Sequence, residues 1–523
     1  MYVMMLSFNF DFRPSSLLVI AFLALLAYIT HFFIQSIRVD AAIRRTGGQR
    51  AHVIYSNPFS AIYWSFQSVK KASQYRVFEL YDLAYGKLGP GVNVYEHAST
   101  PRSRIIETRE PAHIKAVLAS DFESFGKGPR FHQIWSPFLG DSIFTTDGKQ
   151  WQKSRALIRP MFMTDRLSDL YIFERQVGKM LHHIPPSGQT IDIMDLFFRM
   201  TLDVTTDFLL GESANTLDNP NSEFTRAFND ILTYQLKRLV LRIIAPFNRL
   251  FSSAEYYRCI AIIDRFLMPY IERTLAIPPE ELEKLNKSDD SFTFLHNLAQ
   301  FTRDPKVIRD QLVAVLLAGR DTTAATLSWA FYELAAYPEK YERLRAEVLE
   351  YAGEHDTPTY EMLKNMKYLR YTINETLRLH PAVPFNIKEV LKDSVLPGAP
   401  GQPAIGVLKG DTVCYNPMTL HGRRDLYPAV SGKFADPSLF SPERWFNWFP
   451  KPWEYIPFNG GPRTCPGQNF AQTEMAYCIV KMLQKYERME YRGNWHAQLD
   501  KTDVVSRPAF GVPVAFYEPS KSS

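Results

Sequence analysis

Pro305 and Pro338 bracket an unbroken helical pattern, and no other feature restricts the fold of this chain as much. Asp304-Pro305 reads as a helix start, an acid at the N-cap followed by proline at the first helical position. Apolar residues recur at Ile308, Leu312, Val315, Leu316, Leu327, Phe331 and Leu334, and Pro338 stops the pattern after Tyr337. At roughly 34 residues this is too long for an ordinary surface helix, and it must cross the middle of a domain. Another helix opens near Thr359 and carries Met362 through His380, ended by Pro381. Strand-like segments are few: Val92–Tyr95, Ile105–Thr108, Thr412–Tyr415 and Val512–Tyr517. The expected fold class is mostly α with a small β portion.

Leu17 to Ile34 is an apolar run broken only by Thr30 and His31. As a helix it spans about 27 Å, just short of a ~30 Å hydrocarbon core, and Ser15 and Ser16 can extend it. Arg13 and Asp11 precede it; Arg38, Arg44, Arg45 and Arg50 follow. Positive charge marks the cytosolic side, so a single-pass anchor would leave the bulk of the chain in the cytosol. A cleaved signal peptide is the rival reading, but the run is long for one and Arg38 crowds a cleavage site near Val39-Asp-Ala41. Gly47-Gly48 reads as a hinge. No later linker, charge block or repeat divides the chain, so residues 1–48 read as anchor and hinge and 49–523 as one catalytic domain, despite a length of 523 residues. A net charge of +5 is too mild for a dedicated nucleic-acid binder and suits work beside an anionic membrane or an acidic partner. Four cysteines exclude a disulfide scaffold, and no Cys-x-x-Cys pair suggests zinc.

The stretch Phe458-Asn-Gly-Gly461-Pro-Arg463-Thr-Cys465-Pro-Gly467 forces a tight loop whose backbone can approach a large planar object. A helix from Pro466 would set the Cys465 sulfur near backbone N–H groups, which favours a thiolate. Arg463 can meet a carboxylate. A thiolate, a carboxylate partner and an aromatic suit haem ligated through sulfur. By physics alone, a structural turn around a buried cysteine also suits.

The same loop resembles the haem-binding signature of the cytochrome P450 family, matching it at Phe458, Gly461, Arg463, Cys465 and Gly467. Ala318-Gly-Arg-Asp-Thr-Thr323 looks like that family's oxygen-activation motif, Glu375-Thr-Leu-Arg378 like its Glu-x-x-Arg motif, and Pro442-Glu-Arg-Trp445 like the segment whose arginine, Arg444, completes an ion-pair network. Trp151-Gln-Lys-Ser-Arg155 looks like the helix that reaches a haem propionate. The resemblance covers about residues 85 to 515 and implies the family fold, haem b with Cys465 as axial thiolate to iron, O2 and an NADPH-cytochrome P450 reductase as electron donor. It implies that Asp321 and Thr322 deliver protons during oxygen activation, beside a Gly319 that opens the helix. Glu375, Arg378 and Arg444 would hold the cysteine loop, and Trp151, Arg155 and Arg463 would meet the propionates. Cys259, Cys414 and Cys478 fall outside the pattern and read as small buried residues. Lys149 and Lys153 are candidates to face the reductase. Arg320 is an unusual charge for a central helix and needs a partner.

Two positions depart from the family. Its His-Arg pair here reads His421-Gly422-Arg423, and an arginine expected after the Glu-x-x-Arg helix is Lys388. Ala318 has no carboxyl for an ester to haem.

Leu139–Phe144, Trp151–Phe162, Ala318–Ala324 and Phe458–Ala471 resemble the fungal alkane and fatty-acid ω-hydroxylases of this family. Candidate pocket residues are Phe131, Trp135, Phe138, Phe144, Val383, Phe385 and Phe510, drawn from a chain with 14% aromatics. The resulting expectation is a monooxygenase anchored in the endoplasmic reticulum membrane, acting on an alkane or fatty-acid-like chain at or near its end. The alternatives are tailoring of a polyketide or terpenoid by the same chemistry, an oxygen-independent haem-thiolate isomerase or dehydratase, and a haem carrier or sensor. Asp321-Thr322 argues against the last two.

Overall fold

The structure is a computed structural model, and it describes residues 14–55, 58–98, 104–162, 170–243, 253–285, 292–398 and 401–520. The elements used below are helices α1 (Pro14–Arg45), α2 (Gly128–Leu139), α3 (Gly148–Ile158), α4 (Ile193–Leu210), α5 (Glu223–Ile243), α6 (Ala254–Ala276), α7 (Pro305–Ala336), α8 (Lys367–Leu379) and α9 (Gln468–Lys485). Six short strands form the main sheet: β1 (His52–Tyr55), β2 (Val94–Ala98), β3 (Arg104–Thr108), β4 (Phe125–Gly126), β5 (Asn386–Val390) and β6 (Thr412–Tyr415). Their order is β1-β2-β3-β6-β5-β4, with β1–β2 and β3–β6 parallel and the other pairs antiparallel. A second sheet joins Arg488–Tyr491, Pro513–Tyr517 and Thr190–Asp192. The architecture is mostly α with a small β portion, as expected.

Helix α7 starts as its sequence dictates. The Asp304 carboxylate accepts the N–H groups of Lys306 at 2.8 Å and Val307 at 3.4 Å. From Ile308 to Leu334 it is buried almost all round, as a helix without a polar face must be. Its one flank packs with α4, α8 and α9 through Phe197, Phe331, Leu377 and Ile479; the other meets α2, α5 and α6 through Phe138, Phe228, Ile263 and Leu312. Gly319 has a packing reason of its own, since a Cβ there would come within 2.8 Å of the Thr205 hydroxyl on α4.

The expected helix from 359 to 380 is two helices. Thr359 caps Tyr360–Asn365, Met366 is extended, and α8 begins at Lys367. The break has a tertiary cause: the Glu347 carboxylate accepts the N–H groups of Tyr368 at 2.9 Å and Leu369 at 2.8 Å, starting a new helix there. The helix expected from Pro466 begins two residues later, at Gln468.

The side chains at 17, 18, 20, 21 and 24 of the apolar run lie outside the described residues, and among the described residues no helix is long and apolar enough to cross a membrane. The described side chains from Phe22 to Phe33 are mostly exposed, whereas Val39 and Ile43 are buried against the domain. Gly48 is docked as well: a Cβ would come within 2.3 Å of the Gly406 nitrogen.

Candidate functional site

The cysteine loop is built from backbone outward. Cys465 N–H donates to the Phe458 carbonyl at 2.9 Å, closing the loop. Asn459 and Gly461 take left-handed φ values of 65° and 62°. Asn459 is held by Tyr415, whose hydroxyl donates to its Oδ1 at 2.9 Å, and its own amide donates to the Arg463 carbonyl at 3.3 Å. Arg155 reaches the other side of the loop and donates to the Thr464 carbonyl at 2.9 Å. Burial pushes the Cys465 thiol above its ordinary value, and the Gly467 N–H and Arg155 recover only part of that. The loop therefore does not favour the thiolate unaided, contrary to the local expectation; a cation at sulfur would supply the missing charge.

Arg463 lies over the rings of Trp151, 4.6 Å to the centroid, and Phe122, 5.7 Å. It donates to Asp147 at 2.6 Å and to the Thr146 carbonyl at 3.0 Å, while its buried Nε has no partner among the described residues. Trp151, Arg155, Arg463 and Cys465 thus meet around one loop. A thiol for a metal beside an arginine with an unused donor fits haem, whose iron takes a thiolate and whose propionates take cations. Asp147 was not visible as a site residue in the sequence. It also accepts the N–H groups of Lys127 and Gly128 at 2.8–3.0 Å, in a space that exists because Gly126 has no side chain.

Glu375, Arg378 and Arg444 form one buried knot, at 0%, 2% and 1% exposure. Arg378 grips both Glu375 oxygens at 2.8 and 2.9 Å. Arg444 Nε, Trp445 Nε1 and Ser441 N–H donate to the same carboxylate at 2.9–3.0 Å. Burial raises the Glu375 pKa, but Arg378 and Arg444 more than reverse it, so the carboxylate stays below its ordinary range. His421 links this knot toward the cysteine segment, bonding the Arg378 carbonyl at 3.2 Å and accepting the Ile456 N–H at 3.0 Å. Burial lowers its pKa to about 3, so the ring is neutral. Arg423 is engaged by Glu110 at 3.0 Å and Asp425 at 2.6 Å. The departure at His421-Gly422-Arg423 therefore serves structure.

On α7 the run of buried residues is interrupted only at Leu317, Ala318, Gly319 and Thr322, which are half-exposed. Thr322 donates to the Ala318 carbonyl at 2.7 Å. Asp321 is buried, and burial raises its pKa against the pull of Arg320 and Arg507. The partner of Arg320 is now visible: its Nη1 donates to Asp321 at 3.1 Å, its Nη2 to Asn229 on α5, and its guanidinium lies between Phe198 and Phe228. Thr323 turns to the other side, where it faces buried Glu474 of α9.

Among the candidate pocket residues, Phe131 and Trp135 stack at 5.5 Å on α2. Val383 and Phe385 are half-buried, leading into β5. Phe138 is fully buried in the packed core instead, and Phe144 and Phe510 are exposed, the latter edge-on to Tyr75.

A family model described as cytochrome P450 matches residues 62–509. The sequence is 42% identical over 512 residues to cytochrome P450 monooxygenase pvhE of Talaromyces variabilis, covering 93% of each chain. It is 40% identical to cytochrome P450 52A13 of Debaryomyces hansenii, over 74% of this chain and 76% of that one, and 38% identical to cytochrome P450 52A1 of Candida tropicalis, over 75% and 74%.

Proposed function

The chain belongs to the cytochrome P450 family as a haem-dependent monooxygenase, and on that premise we propose that its substrate is an n-alkane or fatty-acid-like chain hydroxylated at or near its end. The observation that carries this reading is the half-exposed face of α7. Beside Thr322 it presents Leu317, Ala318 and Gly319, so the surface against which a substrate rests is hydrocarbon. The branch resemblance of Leu139–Phe144 and Trp151–Phe162 points the same way.

Haem, when bound through Cys465, supplies oxygen activation. Arg463, Arg155 and Trp151 hold its edge, and the Glu375–Arg378–Arg444 knot fixes the loop that carries the cysteine. Asp321, whose pKa burial raises against the pull of Arg320, adjoins Thr322, and the Thr322 hydroxyl, released from the Ala318 carbonyl, can relay a proton between them. Exposed Lys149 and Lys153 on α3 suit an acidic NADPH-cytochrome P450 reductase. Residues 1–48 serve as a single-pass anchor in the endoplasmic reticulum membrane and 49–523 as the cytosolic domain. The apolar run and the arginines after it support this, with Val39 and Ile43 resting on the domain.

Terminal attack requires orientation, because primary C–H bonds are stronger than secondary ones. Half-buried Phe385 is the proposed constriction. Binding spectra should tighten along an alkane or fatty-acid series by about 0.8 kcal/mol per buried methylene until the pocket is full, and Phe385→Ala should move oxidation inward. The match to pvhE covers 93% of this chain, against 74% and 75% for 52A13 and 52A1, which sustains a second reading, tailoring of a fungal polyketide or terpenoid. A panel in which cyclic compounds bind and turn over, and linear chains do neither, would select it.

A further inference from the structure

His380 stands just past the end of α8, where three segments meet. Its Nε2 pairs with the Glu333 carboxylate of α7 at 2.9 Å. Its ring lies flat on the indole of Trp329, one turn earlier on α7, with 4.0 Å between centroids and 6° between planes. Trp329 in turn donates from Nε1 to the Ser506 carbonyl at 3.3 Å. Ser506 is buried and opens the second strand of a hairpin, Asp500–Thr502 paired with Ser506–Pro508. Its N–H donates to the Ala382 carbonyl at 2.9 Å, and its hydroxyl to Asp500 at 3.1 Å. One chain of contacts thus runs from His380 through α7 to the hairpin, and back to the segment 382–385 that follows α8. Nothing local in the sequence joins its first two members, which lie 47 positions apart.

Neither linked segment holds its own shape. Residues 382–385 lie outside any helix or strand until Asn386, and two strands of three residues do not make a stable hairpin alone. Yet the first segment carries Val383 and half-buried Phe385, and the hairpin tip carries Val504, which packs with Leu317 of α7 against the same core cluster. Aromatic pairs ordinarily settle offset or edge-on, with centroids roughly 4.5–7 Å apart. A parallel pair at 4.0 Å is one that another contact holds, and the bond to Glu333 is that restraint. We propose that His380 is a positioning residue for substrate selectivity: braced by Glu333, it fixes the Trp329 indole that holds Ser506, and so sets how far Phe385 and Val504 reach over the substrate. This rests on the reading of Phe385 as the constriction.

The test uses the full-length holoprotein and two nitrogen ligands of haem iron, imidazole and 1-dodecylimidazole, titrated by their spectral shifts. His380→Phe keeps a ring on Trp329 but loses the bond to Glu333. It should bind 1-dodecylimidazole about tenfold more weakly, the size expected for one hydrogen bond to a charged group, with imidazole unchanged. His380→Gln can still donate to Glu333 and should stay near the wild type. With a linear fatty acid, the ratio of terminal to inner hydroxylation should fall in His380→Phe, and adding Phe385→Ala should change it little further, because both act through one wall. If His380→Phe does not fold, Glu333→Gln weakens the same bond and replaces it. Wild-type affinity and product ratio overturn the proposal, and so does a lower urea midpoint with both unchanged, which marks a merely structural role. Failure of the chain-substrate reading looks different: the wild type binds 4-phenylimidazole tightly and 1-dodecylimidazole no better than imidazole. The His380 comparison is then decided by 4-phenylimidazole, with the same outcomes.

Discussion

Gly461 lies against Leu118 so closely that a Cβ would come within 2.0 Å of the Leu118 carbonyl oxygen. Its φ of 62° adds a second reason for glycine. The contact ties the cysteine loop to the turn after the Pro111–Lys115 helix. Gly461→Ala should therefore yield protein without the CO–thiolate band, although the cysteine is untouched. A normal band in that variant would show that the loop can move away from Leu118.

The Glu375 knot is buried and fully paired, so removing one member leaves a stranded charge. Glu375→Gln should destabilise the holoprotein by about 3–5 kcal/mol, read in urea unfolding. Retention of wild-type stability would mean that the two arginines find solvent.

Arg320 restrains Asp321 by pairing with it and with Asn229. Thr322→Ala should keep haem bound yet divert reducing equivalents to peroxide, and Asp321→Asn should slow turnover. Arg320→Gln removes the positive neighbour that holds the Asp321 pKa down, so that pKa rises further and the pH profile of kcat moves upward. Wild-type coupling and rate in both site variants would remove these residues from proton delivery.

The end of α1 packs against the domain through Val39 and Ile43. A chain beginning at Arg38 keeps Val39, Ile43 and the Asp40–Arg50 pair at 2.9 Å; one beginning at Arg50 loses them. Burial of two apolar side chains stabilises by roughly 1.5–3 kcal/mol each, so the shorter protein should unfold several degrees earlier. Equal midpoints would place the boundary after residue 48 without cost.

Two buried histidines make the fold acid-sensitive. Burial lowers His113 to about 4 and His421 to about 3, from 6.5. The folded state keeps both neutral while the unfolded chain takes up protons below pH 6.5. Their stabilisation is thus complete above that pH and is lost toward pH 4 and 3, at up to about 1.4 kcal/mol per pH unit for each. Urea midpoints from pH 7 to 5 should fall, and the slope should lessen in His113→Gln. An identical slope in that variant would rule out its contribution.

The central helix was legible because its signals are local: an N-cap, a proline at each end and an apolar repeat that Asp304 and Ile308–Leu334 realise in place. The cysteine loop was legible for the same reason, since Phe458, Gly461, Arg463 and Cys465 lie within eight positions of each other. The split at Met366 was not, because its cause is Glu347, a residue of another helix. Nor was the partner of Arg320, which comes from α5, nor the role of Asp147, whose carboxylate meets Arg463 across 316 positions of sequence. The sequence by itself determined the cysteine loop and the helix that crosses the domain, because spacing along a helix or within a tight loop sets geometry directly. Tertiary structure alone decided the charge balance around them, because the field at a buried lysine or carboxylate is summed over strands and helices that only folding brings together.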